Sequence, residues 1–495
     1  MIRELARYIS GARSAQITSI KVLALSVALG LSAISSTSLA NPFELYGVGS
    51  RASALGNLGT ASADDYTAVH YNPAALLSGR SSLGGGVSYA AKQLEVKLTD
   101  RPAGYEIPDL GASSPTVPSE YLLQPRRGRE GTDHTWTMYT GLSSDLGTRD
   151  LRFGLLLSLP VYHSTESYPS TFPDEREQHF TNQVSFSLLG GRVEHFVAEF
   201  GLAYQLFDWL ALGVGASVMP NVFTRNFVYM PDAARQDAVN LNLDLKTETQ
   251  WRLIGGLIVK PNRRFKIGVS YRDEQYMSIR GVNEVQVRGL QGGEGYPFEQ
   301  NLHIITDYSP RQFTYGGAWF GDHNMFTADL VYTVWSSYLD QHGDPVDFED
   351  TWSPRLGYEH NLGLDQKIRI GLRWDPSPVP EQTGRSNFVD NDRAVVSIGG
   401  GHPIKIADKR LTISWHVQLH SLIGRSHTKA IPASLETCER DTRALCDEVP
   451  DDTMNPRTGE PYPEAEGLQT GNPGFPGYSS GGLIVQTGIE VLWSF

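Results

Sequence analysis

Residues 483–495 constrain the fold of this chain more than any other segment. Their sequence, LIVQTGIEVLWSF, alternates apolar residues with mostly polar ones and ends on Phe495. Because side chains alternate across a strand, one face is apolar and aromatic, and the other carries Gln486, Glu490 and Ser494. A chain that stops on such a strand is typical of a bacterial outer-membrane barrel, in which lipid meets the apolar face and the lumen meets the polar face.

The N-terminus has the features of a secretory signal peptide. Residues 1–21 carry four basic residues and one acid, 22–34 form a short apolar run, and Ser38 and Ala40 fit the small-residue cleavage rule. The run is short for a membrane-spanning helix, which needs about 20 apolar residues. We therefore expect a signal at 1–40 with cleavage after Ala40.

Charge and cysteine content narrow the possible partners. Removing the signal would take the formal net charge from −13 to about −16, which argues against nucleic acid as a partner. Cys438 and Cys446 lie close together in a polar segment. In an exported protein this spacing predicts a small loop disulfide, and two cysteines without a nearby histidine pair make a zinc site improbable. We expect no metal and no cofactor.

Strand-like segments recur along the rest of the chain and number fourteen, an even count as bacterial single-chain barrels require. They lie near residues 80–97, 133–146, 151–164, 191–206, 209–228, 240–259, 264–289, 299–320, 323–338, 351–362, 366–375, 393–404, 409–422 and 482–495. We expect an all-β, transmembrane antiparallel barrel spanning 80–495.

The connections between these segments alternate in length, which indicates the sidedness of a barrel. Short connections at 147–150, 207–208, 261–264, 321–324, 363–366 and 406–409 predict periplasmic turns. Long ones between them predict external loops, at 98–132, 165–190, 229–239, 290–298, 339–350, 376–392 and 423–481.

Residues 41–79 precede the first strand and do not share its alternation. They are rich in Gly and Ala, low in charge, and include apolar residues such as Val69 and Leu76. These features argue against a disordered tail. A barrel of fourteen strands leaves a lumen, and this compact segment would fit inside it as a plug, or hatch.

The hatch sequence resembles the start of the FadL/TodX family, the outer-membrane transporters of long-chain fatty acids and other hydrophobic compounds. Small residues lead to an acidic pair and then to an N-P-A tripeptide: Gly47, Gly49, Ala52, Gly56, Gly59, Ala61, Asp64, Asp65, Asn72, Pro73 and Ala74. Further resemblance lies at 329–338, 350–360 and 368–382, and in the DNDR sequence at 390–393. Residues 98–130 and 423–481 have no counterpart.

The resemblance implies a fourteen-stranded barrel plugged by its own N-terminus, without an energy source or an enzymatic step. The expected substrate is a hydrophobic small molecule, and the expected surroundings are outer-membrane lipid and lipopolysaccharide. We expect the C-terminal strand to engage the barrel-assembly machinery. Phe43, Leu45 and Tyr46 are expected to help close an apolar ligand pocket.

Two further features carry predictions about the site. Alternation in 366–375 places Arg369 and Arg373 on the luminal face, where they either pair with luminal acids such as Glu359 and Asp329 or hold a carboxylate headgroup. Pro160 cannot donate to a strand ladder. It therefore marks either a lateral opening of the wall, as members of the family are thought to use, or the end of a strand above the bilayer.

The sequence is compatible with two alternative functions. A general diffusion porin would share the barrel but would have no need of a plug. An outer-membrane lipid-acting enzyme would need a catalytic centre. His163-Ser164 offers a serine beside a histidine, but no G-x-S-x-G motif surrounds Ser164 and it has no evident third partner. A channel for hydrophobic compounds, without enzymatic activity, is the favoured interpretation.

Overall fold

The computed structural model describes residues 42–99, 132–163, 196–219, 223–232, 237–289, 293–294, 298–340, 343–363, 365–384, 386–406, 409–429, 474 and 477–495. Nineteen strands lie within these ranges: β1 (Ser82–Leu98), β2 (Thr132–Ser144), β3 (Leu151–His163), β4 (Val197–Phe207), β5 (Leu210–Met219), β6 (Phe223–Asp232), β7 (Asp237–Thr247), β8 (Gln250–Asn262), β9 (Phe265–Arg272), β10 (Gln275–Gly289), β11 (Gly293–Glu294), β12 (Phe298–Ser309), β13 (Arg311–Phe320), β14 (Asn324–Val334), β15 (Thr351–Gly363), β16 (Gln366–Asp375), β17 (Arg393–Ile406), β18 (Lys409–Thr428) and β19 (Gly477–Ser494).

Fourteen of these strands form a closed antiparallel barrel, in the order β1-β19-β18-β17-β16-β15-β14-β13-β9-β8-β5-β4-β3-β2. The closing pair is β1 with β19, in which Val87 lies opposite Ile489 and Leu83 opposite Trp493. The amide of Phe495 donates to the carbonyl of Ser81 (3.0 Å), so the last residue is held against the start of β1. The all-β barrel and its strand count are confirmed.

The alternating sequence places apolar side chains outside the barrel and polar ones inside. On β14, Phe326 and Leu330 are exposed on the outer face, whereas Thr327 and Asp329 are buried on the inner face. The terminal strand follows the same rule, since Ile489 is exposed and Glu490 is buried. In a bilayer the exposed apolar positions contact lipid.

The hairpins at one end of the barrel are short and the connections at the other end are long. β4 and β5, for example, are joined by two residues, and β13 and β14 by three. By the rule for outer-membrane barrels, the end with short turns is periplasmic.

A second sheet of five strands, formed by β6, β7, β10, β11 and β12, is separate from the closed barrel. It is built from the connections between β5 and β8 and between β9 and β13, and β7 pairs with β10 to join them. The sequence showed alternation through 209–228, 240–259, 264–289 and 299–320 as single segments. Each of these covers all or part of a barrel strand and of a strand in the second sheet, because the alternation continues beyond the barrel wall.

The chain before β1 is helical and compact. It contains α1 (Pro42–Tyr46), α2 (Ser50–Ala54), α3 (Ala68–Tyr71) and a 3-10 helix (Pro73–Ser78). A second 3-10 helix lies at Trp335–Ser337. In the described part of the chain, no helix has the length and apolar character needed to span a bilayer. We call residues 42–79 the luminal segment, because they contact the inner faces of the barrel strands.

Candidate functional site

The luminal segment fits the barrel closely because the wall presents glycines where the two meet. A Cβ atom on Gly213 would overlap the backbone of Ala74, and one on Gly371 would overlap the backbone of Leu55. Glycine is the residue that allows two backbones to approach this closely. The wall and the segment are therefore complementary where these glycines lie.

The Asn72-Pro73-Ala74 tripeptide forms the start of the 3-10 helix. The amide of Ala74 donates to Asn72 Oδ1 (3.1 Å), which caps the helix, and Pro73 occupies a first-turn position that needs no donor. Asn72 Nδ2 donates to the carbonyls of Thr60 (2.8 Å) and of Leu257 on β8 (3.1 Å). One side chain thus joins two parts of the luminal segment to the wall.

The acidic pair divides between two roles. Asp64 forms an ion pair with Arg51 (2.7 Å), and its side chain is half exposed. Asp65 is buried and accepts from the amide (2.8 Å) and the hydroxyl (2.5 Å) of Thr67. Burial raises the pKa of Asp65, and the neighbouring charge of Asp64 adds to that rise.

Ion pairs fasten the luminal segment to the wall on two sides. On one side, Arg51 contacts Glu359 on β15 (3.0 Å). On the other, Glu44 contacts Arg252 on β8 (2.8 Å). Beside that ion pair, the imidazole of His70, whose pKa is lowered by burial, is hydrogen-bonded to Glu199 on β4 (3.0 Å).

Hydrogen bonds add to these anchors. Glu490 on β19 accepts from the amide of Ser50 (2.6 Å) and from the hydroxyl of Tyr66 (2.5 Å). Asp329 on β14 accepts from the hydroxyl of Thr60 (2.7 Å). The luminal segment is therefore held all around its circumference.

Arg369 and Arg373 both lie on the inner face of β16, but at different levels. Arg369 contacts Glu359 (2.8 Å) and donates to the carbonyl of Gly400 (3.1 Å). Arg373 contacts Asp375 (3.0 Å) and donates to the carbonyl of Leu45 (2.8 Å). The two arginines lie roughly 13 Å apart along the strand, so they belong to separate clusters. Each already has a carboxylate partner.

The apolar residues expected near a ligand pocket occupy two clusters. Leu45 and Tyr46 belong to a cluster near the long-loop ends of β1, β18 and β19. Its other members are Ala90, Leu94, Val96, Leu422, Tyr478 and Ile484 on these strands, and Val389 in the connection before β17. Phe43 belongs to a second cluster with Val48, Ala52, Tyr66, Tyr71, Tyr139, Leu156 and Val197. Phe43 also lines a cavity of about 30 Å³ between the luminal segment and the wall. That volume is about one water molecule, so this cavity is too small for a ligand.

Pro160 lies within β3, at an irregularity in its pairing with β2. Trp136 pairs with Tyr162 and Thr137 pairs with Pro160, so Val161 is an extra residue in β3. Pairing of β3 with β4 extends over Leu151–Ser158 of β3 within the described residues. The bulge therefore begins where the described β3–β4 pairing has already ended.

Some predicted features fall outside the described residues. They include Cys438 and Cys446 with their predicted disulfide, Ser164, the signal at 1–40, and most of the loops at 98–132 and 423–481. Among the residues that the structure covers, no group of His, Cys, Asp and Glu side chains is placed to hold a metal ion.

Several anchoring residues were not identified from the sequence, notably Glu44, His70, Glu199, Arg252 and Arg272, of which Arg272 also contacts Glu44 (3.7 Å). The signal that could have found the strand residues is a charged side chain at an inward position, as for Arg252, which alternates with exposed Trp251 and Leu253. Their partners lie in a different part of the sequence, so spacing alone could not have paired them.

Comparisons with known proteins agree with this architecture. The family model for outer membrane protein transport proteins (OMPP1/FadL/TodX) matches residues 175–416. Alkane uptake protein A of Marinobacter nauticus is 23% identical over an alignment of 367 residues, which covers 68% of this chain and 73% of that protein.

Two solved structures share the fold. A FadL homologue of Pseudomonas aeruginosa has a TM-score of 0.55 at 14% identity and covers 93% of this chain and 99% of its own. A deletion mutant of the TodX monoaromatic hydrocarbon channel has a TM-score of 0.52 at 14% identity and covers 92% of this chain and 100% of its own.

Proposed function

Because this chain belongs to the OMPP1/FadL/TodX family of outer membrane transport proteins, we propose that it is an outer-membrane channel for passive uptake of long-chain fatty acids or other hydrophobic compounds. The relative from Marinobacter nauticus is named for alkane uptake, and the similar TodX structure is named a monoaromatic hydrocarbon channel. These names support hydrophobic compounds as the substrate class of this chain.

The observation that carries the proposal is the closely fitted luminal segment with apolar clusters beside it. A water-filled pore offers no affinity to a hydrophobic molecule. The cluster around Leu45 and Tyr46 offers apolar contact inside a lumen that is otherwise polar. Transfer of apolar surface from water to such a cluster is favourable by about 25 cal/mol per Å². Binding there would need Leu45 and Tyr46 to move away from the wall.

The luminal segment is the proposed hatch. Its apolar contacts and its anchors lie on the same short piece of chain, since Arg373 donates to the carbonyl of Leu45 and Glu44 contacts Arg252. A ligand that displaces Leu45 therefore disturbs residues that hold the segment in place. We propose that this coupling releases the substrate by movement of the hatch, without an energy source.

The bulge at Pro160 is the proposed lateral exit, from the lumen into the membrane. Replacing Pro160 with Val restores a backbone donor at this position. If the exit is real, the P160V barrel assembles normally and takes up substrate more slowly than wild type. Leu159→Val, an exposed position next to it, serves as the control. Normal uptake by an assembled P160V barrel would instead support the interpretation of Pro160 as a strand end.

A general diffusion porin is the alternative function, and the anchored luminal segment disfavours it. The relatives are transporters, which disfavours a lipid-acting enzyme. The partners that we propose are a hydrophobic small molecule, outer-membrane lipid with lipopolysaccharide, and the barrel-assembly machinery acting on the C-terminal strand.

Uptake measurements separate the two channel functions. A deletion strain is compared with the same strain carrying this chain, using radiolabelled oleate, hexadecane and a small sugar. A hydrophobic-compound channel raises uptake of oleate or hexadecane and leaves sugar uptake unchanged. A general porin raises sugar uptake. The balance between oleate and hexadecane then shows whether a carboxylate is needed.

A further inference from the structure

The outer wall of the barrel has an apolar depression beside a row of aromatic side chains. Strand register places Ile267, Gly317, Ala328 and Leu356 in one row across β9, β13, β14 and β15. A Cβ atom built on Gly317 meets nothing within 4 Å. The two small residues in the middle of this row leave an apolar groove of about 490 Å³.

An aromatic row closes the groove on the side of the short turns. It consists of Phe265, Trp319, Phe326 and Tyr358, which pair across the same four strands. Neighbouring rings in this row lie close together, with centroids 5.8 Å apart for Trp319 and Phe326 and 4.8 Å apart for Phe326 and Tyr358. Aromatic rows of this kind mark the membrane–water interface in barrels.

The position of the aromatic row assigns the groove to one leaflet. The short turns are periplasmic, and the row with Gly317 lies two residues, or about 7 Å, further into the membrane than the aromatic row. The groove therefore opens into the hydrocarbon of the periplasmic leaflet, which is the phospholipid leaflet of an outer membrane.

Positive charge lies on the short-turn side of the aromatic row. Arg263 and Arg264 form the turn between β8 and β9, directly before Phe265, and both are exposed. The Arg264 guanidinium contacts Asp322 at 3.4 Å, with side-chain exposures of 60% and 83%. Such an exposed pair is weak, so a phosphate can compete for Arg264.

We propose that this groove binds an acyl chain of an anionic glycerophospholipid of the periplasmic leaflet, whose phosphate is held by Arg263 and Arg264. The groove is not a path for transported substrate, because the wall beneath it is continuously paired through Gly317, Ala328 and Leu356. The proposal is therefore independent of the transport function.

The test uses phosphatidylglycerol with a diazirine in its acyl chain, reconstituted in vesicles with the mature protein. Photolysis of wild type labels peptides from β13 to β15. A Gly317→Leu and Ala328→Leu double variant fills the groove and loses this label several-fold. Ala91→Leu is the matched control, since Ala91 pairs with outward-facing Val485 on the opposite side of the barrel, and it keeps the label.

A second pair of variants tests the headgroup site. Replacing Arg263 and Arg264 with Gln lowers labelling by phosphatidylglycerol by about fivefold for each arginine. Labelling then approaches the level given by phosphatidylcholine with the same acyl chain. Equal labelling of the groove-filled variant and wild type would overturn the proposal. Labelling of these strands by a free diazirine fatty acid but not by the phospholipid would also overturn it, and would assign the groove to substrate.

Discussion

Removing the Arg51 side chain should loosen the luminal segment without harming the barrel. Arg51 is 15% exposed and donates to Glu359 (3.0 Å) and to the Ser62 carbonyl (2.9 Å). Its bond to Asp64 adds little, because Asp64 is half exposed and its charge is screened by water.

The free energy lost in Arg51→Gln depends on the partners that Glu359 keeps after the substitution. Glu359 keeps Lys367 (2.7 Å) and Arg369 (2.8 Å) as partners, so no buried charge is left alone. The loss in Arg51→Gln is then that of a charged hydrogen bond, about 1.5–3 kcal/mol, rather than that of an orphaned buried ion. A loss of this size raises the population of a displaced segment about 10- to 150-fold.

Hydrogen–deuterium exchange with mass spectrometry measures that population. Peptides covering 50–67 should exchange faster in Arg51→Gln by this factor, whereas peptides from the barrel strands should not change. Arg280→Gln is the control, because Arg280 forms an exposed pair with Glu248 on the second sheet. Unchanged exchange at 50–67 would refute the idea that ion pairs hold the segment in place, and faster exchange throughout the barrel would show a general loss of stability.

Three further predictions concern the same segment. Gly371→Ala places a Cβ against the backbone of Leu55, so it should cost about 1–3 kcal/mol and speed exchange of 50–55, whereas Gly317→Ala should not. Burial, with the charge of Arg272, lowers the pKa of His70 from 6.5 to about 4, so a released segment binds an extra proton between these values. Stability of the segment should fall by about 3 kcal/mol as pH falls from 6.5 to 4, and exchange in a His70→Gln variant, corrected for intrinsic rates, should lack this dependence. Phe43→Ala should alter uptake of labelled substrate while the heat-modifiable barrel band on gels stays normal; a lost band would show a structural role instead.

The sequence predicted the features that depend on alternation. It placed Arg369 and Arg373 on the inner face of β16, and Glu490 on the inner face of the last strand, because side-chain direction in a strand repeats every two residues. It also named Glu359 as a partner for the luminal arginines, and Arg369 contacts that carboxylate. Loop lengths likewise predicted that short turns lie at one end of the barrel and long connections at the other.

Features that depend on how the luminal segment sits in the barrel could not be predicted. Asp329 was expected to pair with a luminal arginine, but the structure shows it accepting from Thr60 of the luminal segment. His70 and Glu199 are 129 residues apart and meet only because the segment folds back into the lumen. The second sheet was missed because alternation marks a strand without showing whether the strand is part of the barrel.

In the proposed hatch movement, the anchors of the luminal segment couple closure of the lumen to the binding of a ligand. Glu44 contacts Arg252, and the carbonyl of Leu45, one residue later, accepts from Arg373. Leu45 and Tyr46 pack in the apolar cluster, so the polar and apolar contacts of this turn cannot be broken separately. A hydrophobic molecule that replaces the apolar contacts offers no replacement for the ion pair. Its binding energy must therefore exceed the cost of that pair, which favours long or bulky substrates with large apolar surfaces over small ones.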